Sequence, residues 1–259
     1  MERIKTYLKG LLYTLYVYTI GISKKKNREL IALFVKEYDN GNKVKQVVPT
    51  LTQIGFDEYI FNKNLQIVEE NFAMGNVSFF ELNILSLFAK IYHPKKIFEI
   101  GTFDGRTTLN MSLNSDEDTL IYTLDLPQEK IGATQLEVDQ NDIKYIDKTE
   151  SGMRFKNKEA GKKITQLFGD SASFDYSPYN GTIDMVFVDG SHAYDYVVND
   201  TEVALKLLSN KGGGLIVWHD YDSWDGVTKF LNELSQTDPR FKNIRWIKGA
   251  TIAFIELNR

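Results

Sequence analysis

The chain has 259 residues, of which 42% are hydrophobic, and a formal net charge of −4. This length and hydrophobic fraction suffice for one moderately large domain with an appendage. The acidic balance argues against nonspecific nucleic-acid binding, so no nucleic-acid partner is predicted. The absence of cysteine excludes disulfides, thiolate zinc sites and cysteine nucleophiles, and it is typical of a cytoplasmic enzyme.

The first thirty residues differ in composition from the rest of the chain. An apolar and aromatic run, Leu11–Ile20, has basic residues on both sides. The run is too short to span a membrane and lacks a small-residue cleavage site, so neither a transmembrane helix nor a signal peptide is predicted. Two interpretations remain for residues 3–28. They form either a helix that packs on the domain or on a second subunit of a homo-oligomer, or an interfacial helix in peripheral contact with a membrane.

Helical periodicity is weak up to residue 71, and a helical region is predicted for residues 1–76. A stronger signal follows at Ser78, because a glutamate three residues later, Glu81, completes a capping box. The helix that begins there ends before Pro94 and leads directly into the next strand. We therefore predict an α/β domain for residues 77–259.

A strand, a glycine turn and a helix follow between Lys96 and Thr108. The apolar residues of this strand predict that it is buried, and the turn lies between Gly101 and Gly105. This arrangement places backbone N–H groups and a helix N-terminus above the carboxyl end of the strand, where nucleotide-type ligands bind. Neither the dinucleotide pattern nor the P-loop pattern is met. Glu99, inside the strand end, would repel a phosphate and attract a cation.

The pattern Glu-x-Gly-x-x-x-Gly at Glu99 resembles the first motif of class I methyltransferases, which use S-adenosylmethionine (SAM). In that family the acidic residue lies close to the cationic methionine end of the cofactor, and the glycines let the ligand lie against the backbone. The resemblance implies SAM as the cofactor. It also implies cofactor contacts from Glu99, Gly101, Thr102, Phe103, Gly105 and Thr107.

Strands and helices alternate through the rest of the chain, as a doubly wound sheet requires. Strands are predicted at 120–125, 164–168, 183–189 and 215–220, helices at 194–208 and around 227–234, and two final strands at 244–247 and 251–257. The short connection at Gly249 makes the last two strands antiparallel neighbours. A seven-stranded, mostly parallel sheet with helices on both faces is the Rossmann-like α/β fold of class I methyltransferases.

One segment, residues 127–163, interrupts this alternation. It is polar and longer than one helix requires. We expect a helix and a mobile loop around Gly152–Phe155, which acts either as a lid beside the site or as a disordered spacer.

Acidic residues recur at the strand ends, where this topology places its ligands. Asp125 lies about 20 residues after the glycine turn, the spacing at which an acid accepts hydrogen bonds from ribose hydroxyls. Asp170 and Ser171 end the next strand, where the methyltransferase family holds the adenine. Asp189 ends the strand after that and completes the predicted cofactor contacts.

Two of the three histidines of the chain follow neighbouring strands together with carboxylates. His192 lies three residues after Asp189, and His219 is followed by Asp220. Such a cluster can hold a divalent cation, and oxygen-rich ligation indicates Mg²⁺ rather than zinc. The alternative is a hydrogen-bonded polar network without a metal.

Residues 169–194 resemble the matching stretch of catechol O-methyltransferases, in which an acid binds magnesium and a lysine three residues later is the base. His192 replaces that lysine, as in the macrolide-sugar O-methyltransferases of the macrocin type. That resemblance implies His192 as the catalytic base, and a metal site formed by Asp189 and an acid pair after the fifth strand. This chain has His219 and Asp220 in place of the pair, so His219 is either a metal ligand or a substrate contact.

The leading hypothesis is a SAM-dependent O-methyltransferase that acts on a hydroxyl of a small molecule, a sugar or a glycoside. Two alternatives remain open. Proteins of the cephalosporin hydroxylase kind share a similar fold and acid pair, so the chain could be a hydroxylase-type relative. It could also be a non-catalytic SAM-binding scaffold.

Overall fold

The computed structural model describes Tyr16, Lys24, Lys25, Asn27, Arg28 and residues 47–55, 64–68, 73–146, 148 and 150–258. The chain divides into two compact units, Met1–Gln46 and Val47–Arg259, and the second is described below. The predictions for residues 3–28, and for a helical region before residue 77, lie largely outside the described residues and stay predictions. Among the described residues, no helix is long and apolar enough to cross a membrane.

An eight-stranded sheet forms the centre of the second unit. Its strands are β1 (Thr52–Ile54), β2 (Lys96–Ile100), β3 (Leu120–Asp125), β4 (Ile164–Phe168), β5 (Met185–Val188), β6 (Gly214–Trp218), β7 (Arg245–Ile247) and β8 (Ala253–Leu257). Their spatial order is β1-β7-β8-β6-β5-β2-β3-β4. Among these strands only β8 is antiparallel, and it pairs in this way with both of its neighbours, β6 and β7.

The predicted Rossmann-like α/β fold is therefore confirmed, with eight strands instead of seven. The additional strand, β1, pairs in parallel with β7. It lies before the predicted start of the domain at residue 77. A strand of three residues is too short to show an alternating or apolar pattern, which is why the sequence did not reveal it.

Among the described residues of this unit, five α-helices accompany the sheet: α1 (Phe79–Ile91), α2 (Arg106–Asn114), α3 (Ile143–Ile146), α4 (Tyr194–Leu207) and α5 (Asp225–Thr237). Two buried apolar clusters hold the sheet between them. Along β5, Met185 and Phe187 belong to one cluster and Val186 and Val188 to the other. Because successive side chains of a strand point to opposite faces, this alternation means that helices cover both faces of the sheet.

The capping box of α1 is present as predicted. The backbone N–H of Ser78 donates to the Glu81 carboxylate at 2.8 Å, and the backbone N–H of Glu81 donates to the Ser78 hydroxyl at 3.2 Å. These bonds satisfy two N–H groups that the helix cannot pair internally. They also fix the Glu81 carboxylate at the N-terminus of α1.

The glycine turn between β2 and α2 needs its first glycine because of a neighbouring strand. Gly101 has φ +100°, and a Cβ added there would lie 1.9 Å from the Asp189 carbonyl oxygen. Gly105 has φ +85°, and its added Cβ would lie 2.5 Å from the ring of Phe155. At both positions, other parts of the chain occupy the space that a side chain would need.

The segment of residues 127–163 contains short helices and a hydrogen-bonded loop. It forms 3₁₀ helices at Gln128–Ala133 and Ala160–Lys163, with α3 between them. Around the predicted mobile loop, the N–H groups of Gly152 and Arg154 donate to carbonyls of the glycine turn at 2.9 and 3.0 Å. The segment is thus attached to the glycine turn.

A pair of glycine substitutions tests this packing. Gly101→Ala should lower the free energy of unfolding by about 2 kcal/mol or more, because alanine disfavours positive φ and its Cβ collides with backbone. Gly132→Ala is the matched control, since nothing lies within 4 Å of its added Cβ. Urea unfolding should show a loss only at Gly101. Equal stability of the two variants would contradict the close contact.

Candidate functional site

A cavity of about 250 Å³ opens at the carboxyl ends of the parallel strands. The strand order reverses between β2 and β5, because the chain adds β3 and β4 on one side of β2 and then β5 on the other. Such a switch point separates the loops above it and leaves a crevice for a ligand. Nine predicted site residues line the cavity: Gly101, Phe103, Asp125, Asp170, Ser171, Asp189, His192, His219 and Asp220.

Four predicted cofactor contacts do not line this cavity: Glu99, Thr102, Gly105 and Thr107. Glu99 is fully buried beneath the turn, where it accepts hydrogen bonds from the hydroxyls of Thr108 and Thr123. Burial raises the pKa of Glu99 to about 8, although these two hydrogen bonds oppose the rise. Its carboxyl group therefore supports the turn from below.

The remaining three lie in the turn itself or at the start of α2. The hydroxyls of Thr102 and Thr123 are 2.6 Å apart and join the same buried network as Glu99. Gly105 packs on Phe155, and Thr107 is buried in the first turn of α2.

Asp125, the predicted ribose acceptor, forms an ion pair with a residue that the sequence did not single out. The Lys148 ammonium lies 2.8 Å from the Asp125 carboxylate, and both side chains are largely buried. The same ammonium donates to the Tyr145 carbonyl at 3.2 Å and lies 5.9 Å from the centre of the Phe103 ring. Lys148 belongs to the 127–163 segment, which therefore covers the predicted ribose position.

Asp170 is held in place from three directions. Its carboxylate accepts hydrogen bonds from the N–H of Gln135 at 2.7 Å, the N–H of Ala172 at 3.0 Å and the hydroxyl of Tyr196 at 2.8 Å. The Gln135 bond again connects the 127–163 segment to a predicted cofactor residue.

His192 lies between two carboxylates. Its Nδ1 donates to Asp142, and its Nε2 lies 2.7 Å from the Asp220 carboxylate. Asp142 also accepts hydrogen bonds from the Ser191 hydroxyl at 2.7 Å and the His192 N–H at 2.9 Å. The imidazole stacks on Trp224, with ring centres 4.1 Å apart and planes at 9°. Ring position and ring plane are thus both fixed.

The two carboxylates also determine the protonation state of His192. Burial alone lowers the pKa of His192, but the hydrogen bonds to Asp142 and Asp220 outweigh it and raise the pKa to about 10. At neutral pH the ring is an imidazolium with both nitrogens occupied. In this arrangement His192 cannot accept a proton.

The three predicted metal ligands lie close together. Nδ1 of His219 lies 3.0 Å from carboxylate oxygens of both Asp189 and Asp220, and one donor atom of each residue lies within 4.8 Å of the others. On the far side of the ring, Nε2 lies 3.4 Å from the Glu81 carboxylate. One nitrogen and two carboxylate oxygens therefore lie close enough together to bind a single ion.

Several residues at this site were missed by sequence reasoning. Asp142, Tyr145 and Lys148 come from the polar 127–163 segment, which has no periodicity to place them in space. Trp224 carries no motif. Glu81 was recognised only as a helix cap, although its spacing to Ser78 was the signal that placed it at a helix terminus.

Comparisons with known proteins agree with this geometry. The family model described as a methyltransferase domain matches residues 98–221. The chain carries a methyltransferase domain. No curated protein is significantly similar to the chain in sequence.

Solved structures to which the chain is similar are distant from it in sequence. The methyltransferase PaMTH1 of Podospora anserina, solved with S-adenosylhomocysteine (SAH), is 18% identical, with a TM-score of 0.51 over 71% of this chain and 81% of that one. The O-methyltransferase TomG of Streptomyces achromogenes, solved with SAM, is 20% identical (TM-score 0.46; 71% and 81% covered). An O-methyltransferase of Bacillus cereus, solved with SAH, is 18% identical (0.48; 72% and 84%). The likeness to PaMTH1 confirms the predicted fold, and the family model matches the chain from β2 to β6.

The protonation of His192 gives a direct test in the metal-free protein. NMR titration should show the imidazole protonated up to about pH 10, and Asp142→Asn should lower its pKa because one of two anionic partners is lost. Asp195→Asn, an exposed acid three residues along the chain, should leave the pKa unchanged. A wild-type pKa near that of a free histidine would contradict the described contacts.

The same shift predicts a pH dependence of stability. The folded pKa lies above that of an unfolded histidine, about 6.5, so the His192 contribution is complete below that pH and is lost as pH rises towards 10. The wild type should therefore lose more unfolding free energy than Asp142→Asn between pH 7 and 10, as measured by urea unfolding.

Proposed function

We propose that this methyltransferase transfers the methyl group of SAM to a hydroxyl of a small molecule, a sugar or a glycoside. The observation that supports this proposal is the joint lining of one cavity. The glycine turn and the strand-end acids Asp125 and Asp170 line one part, and the cluster around His192 lines another. A donor and an acceptor can therefore meet inside a single site.

The cofactor would lie across the ends of β2, β3 and β4. Asp125 would accept the ribose hydroxyls, which requires Lys148 to share or release this carboxylate. Asp170 would border the adenine, and the backbone near Gly101 would border the methionine part. The SAH-bound PaMTH1 structure shows a methyltransferase of the same fold with the demethylated cofactor.

The acceptor would bind beside His192, where polar and aromatic groups meet. The carboxylates of Asp142 and Asp220 accept hydrogen bonds from hydroxyl groups, and the rings of Tyr145 and Trp224 supply apolar faces. Carboxylates would repel an anionic acceptor. This combination supports a neutral, polyhydroxylated acceptor.

Methyl transfer is an in-line displacement in which the bond from sulfur to the methyl carbon breaks as the acceptor oxygen forms its bond to that carbon. The acceptor hydroxyl must also lose its proton. We assign this proton to Nε2 of His192. Nε2 can accept it once the hydrogen bond to Asp220 has opened and the proton already on Nε2 has passed to solvent. Asp142 then holds Nδ1–H and keeps the ring directed at the acceptor.

The residues present fit a divalent cation. Nδ1 of His219 and the carboxylates of Asp189 and Asp220 would hold it, because their donor atoms face one point. When bound there, a cation would lower the pKa of the acceptor hydroxyl and draw Asp220 away from His192.

The decisive experiment is methyl transfer from labelled SAM to a panel of neutral sugars and glycosides, with anionic nucleotide sugars for comparison, with and without a chelator. We expect transfer to at least one acceptor. SAM binding without any transfer would favour the non-catalytic scaffold, and oxidation of an acceptor would favour the hydroxylase-type relative.

Replacement of His192 tests its assignment. His192→Ala should lower turnover at least about 10²-fold, because the acceptor loses its base, while SAM affinity persists. His93→Ala is the matched control, since His93 is 68% exposed and pairs with Asp116 outside the cavity. Turnover of His192→Ala close to that of wild type would refute the assignment.

Replacement of Asp125 tests the cofactor position separately. Asp125→Asn should weaken SAM binding about 10- to 100-fold in calorimetry, the usual effect of losing hydrogen bonds to a charged group. Asp118→Asn, an exposed acid paired with Lys95, should bind SAM normally. Unchanged affinity in Asp125→Asn would place the ribose elsewhere.

A further inference from the structure

The imidazole of His219 has carboxylates on both sides. Its Nδ1 lies 3.0 Å from Asp189 and from Asp220, and its Nε2 faces Glu81 at 3.4 Å. The ring is largely buried, at 11% side-chain exposure. His219 therefore presents Nδ1 towards the two acids and Nε2 towards the helix α1.

Glu81 cannot easily turn away from this ring. One carboxylate oxygen accepts the N–H and the hydroxyl of Thr251 at 2.7 and 2.8 Å, and the other accepts the N–H of Ser78 at 2.8 Å. The residue is only 5% exposed. Nδ1 lies 3.0 Å from two carboxylate oxygens, which only accept hydrogen bonds, so in the metal-free protein Nδ1 carries a proton. A cation between the acids would replace that proton, and the buried Glu81 carboxylate beside Nε2 would keep the other ring proton on that nitrogen.

The resulting donor set contains one imidazole nitrogen and two carboxylates. Magnesium prefers oxygen donors throughout, whereas imidazole suits the first-row transition metals. The sequence pattern indicated Mg²⁺ because most of the expected ligands are carboxylates, although His219 stands where the macrocin-type enzymes have an acid. The orientation of its ring changes that expectation.

We propose that Asp189, His219 and Asp220 bind a divalent first-row transition metal in preference to Mg²⁺, and that Glu81 is the positioning residue that presents Nδ1 of His219 to it. This proposal rests on the cation site of the proposed function and names the class of metal. It gives the carboxylate of the capping box a second role beyond the helix terminus.

Electron paramagnetic resonance of Mn²⁺ measures binding without any methyl transfer. The full-length wild type should bind Mn²⁺, and a large excess of Mg²⁺ should be needed to displace it. His219→Asp restores the acid pair and should lower the preference for Mn²⁺ over Mg²⁺ at least about tenfold. His93→Asp, at an exposed histidine, should leave the preference unchanged.

Glu81→Gln tests the positioning role. Its Mn²⁺ affinity should fall about 10- to 100-fold, as it does when an outer partner of a ligating histidine is lost. Ser78→Ala removes the other half of the capping box but keeps the carboxylate, so it should lose helix stability and retain Mn²⁺ affinity. If Glu81→Gln and Ser78→Ala lost Mn²⁺ affinity equally, Glu81 would affect the metal site only by stabilising helix α1, and the positioning role would be refuted.

Two results would overturn the proposal: equal affinity of the wild type for Mn²⁺ and Mg²⁺, or no binding of either ion at millimolar concentration. The first would leave a magnesium site, and the second a hydrogen-bonded network without a metal. A protein that binds Mn²⁺ with the expected preference but transfers no methyl group would contradict the proposed function instead.

Discussion

The contact between the carboxyl ends of β2 and β5 is the constraint on which the rest of the site depends. The N–H of Asp189 donates to the carbonyl of Ile100 at 2.8 Å, and Gly101 passes so close to the Asp189 carbonyl that a Cβ would overlap it. The glycine turn and the first acid of the cation cluster are therefore neighbours in space, although 88 positions separate them along the chain. This contact brings the predicted cofactor residues and the cation cluster to one cavity.

The 127–163 segment completes the site from above this rigid sheet edge. It supplies Gln135 to Asp170, Asp142 to His192, and Lys148 to Asp125. A segment of the chain that contributes little to the core thus contacts both the predicted cofactor residues and the predicted base. Loops on a fixed scaffold commonly carry function in this way, since they can change without disturbing the core.

Sequence reasoning succeeded where a physical pattern repeats. The alternation of strands and helices predicted the doubly wound sheet, and strand-end acids predicted which residues meet at its edge. It failed where position depends on tertiary contacts. Glu99 was expected at the ligand, but Thr108 and Thr123 hold it beneath the turn. Asp142 lies in a polar segment without periodicity, so no local signal connected it with His192.

The most direct test of the central claim is a crystal structure of the protein with SAH. We expect the ribose hydroxyls at the Asp125 carboxylate, the adenine beside Asp170, and the sulfur directed towards His192 and Asp220. SAH bound outside this cavity, or with its sulfur facing away from His192, would contradict the view that one site at the β2–β5 switch point joins cofactor and acceptor.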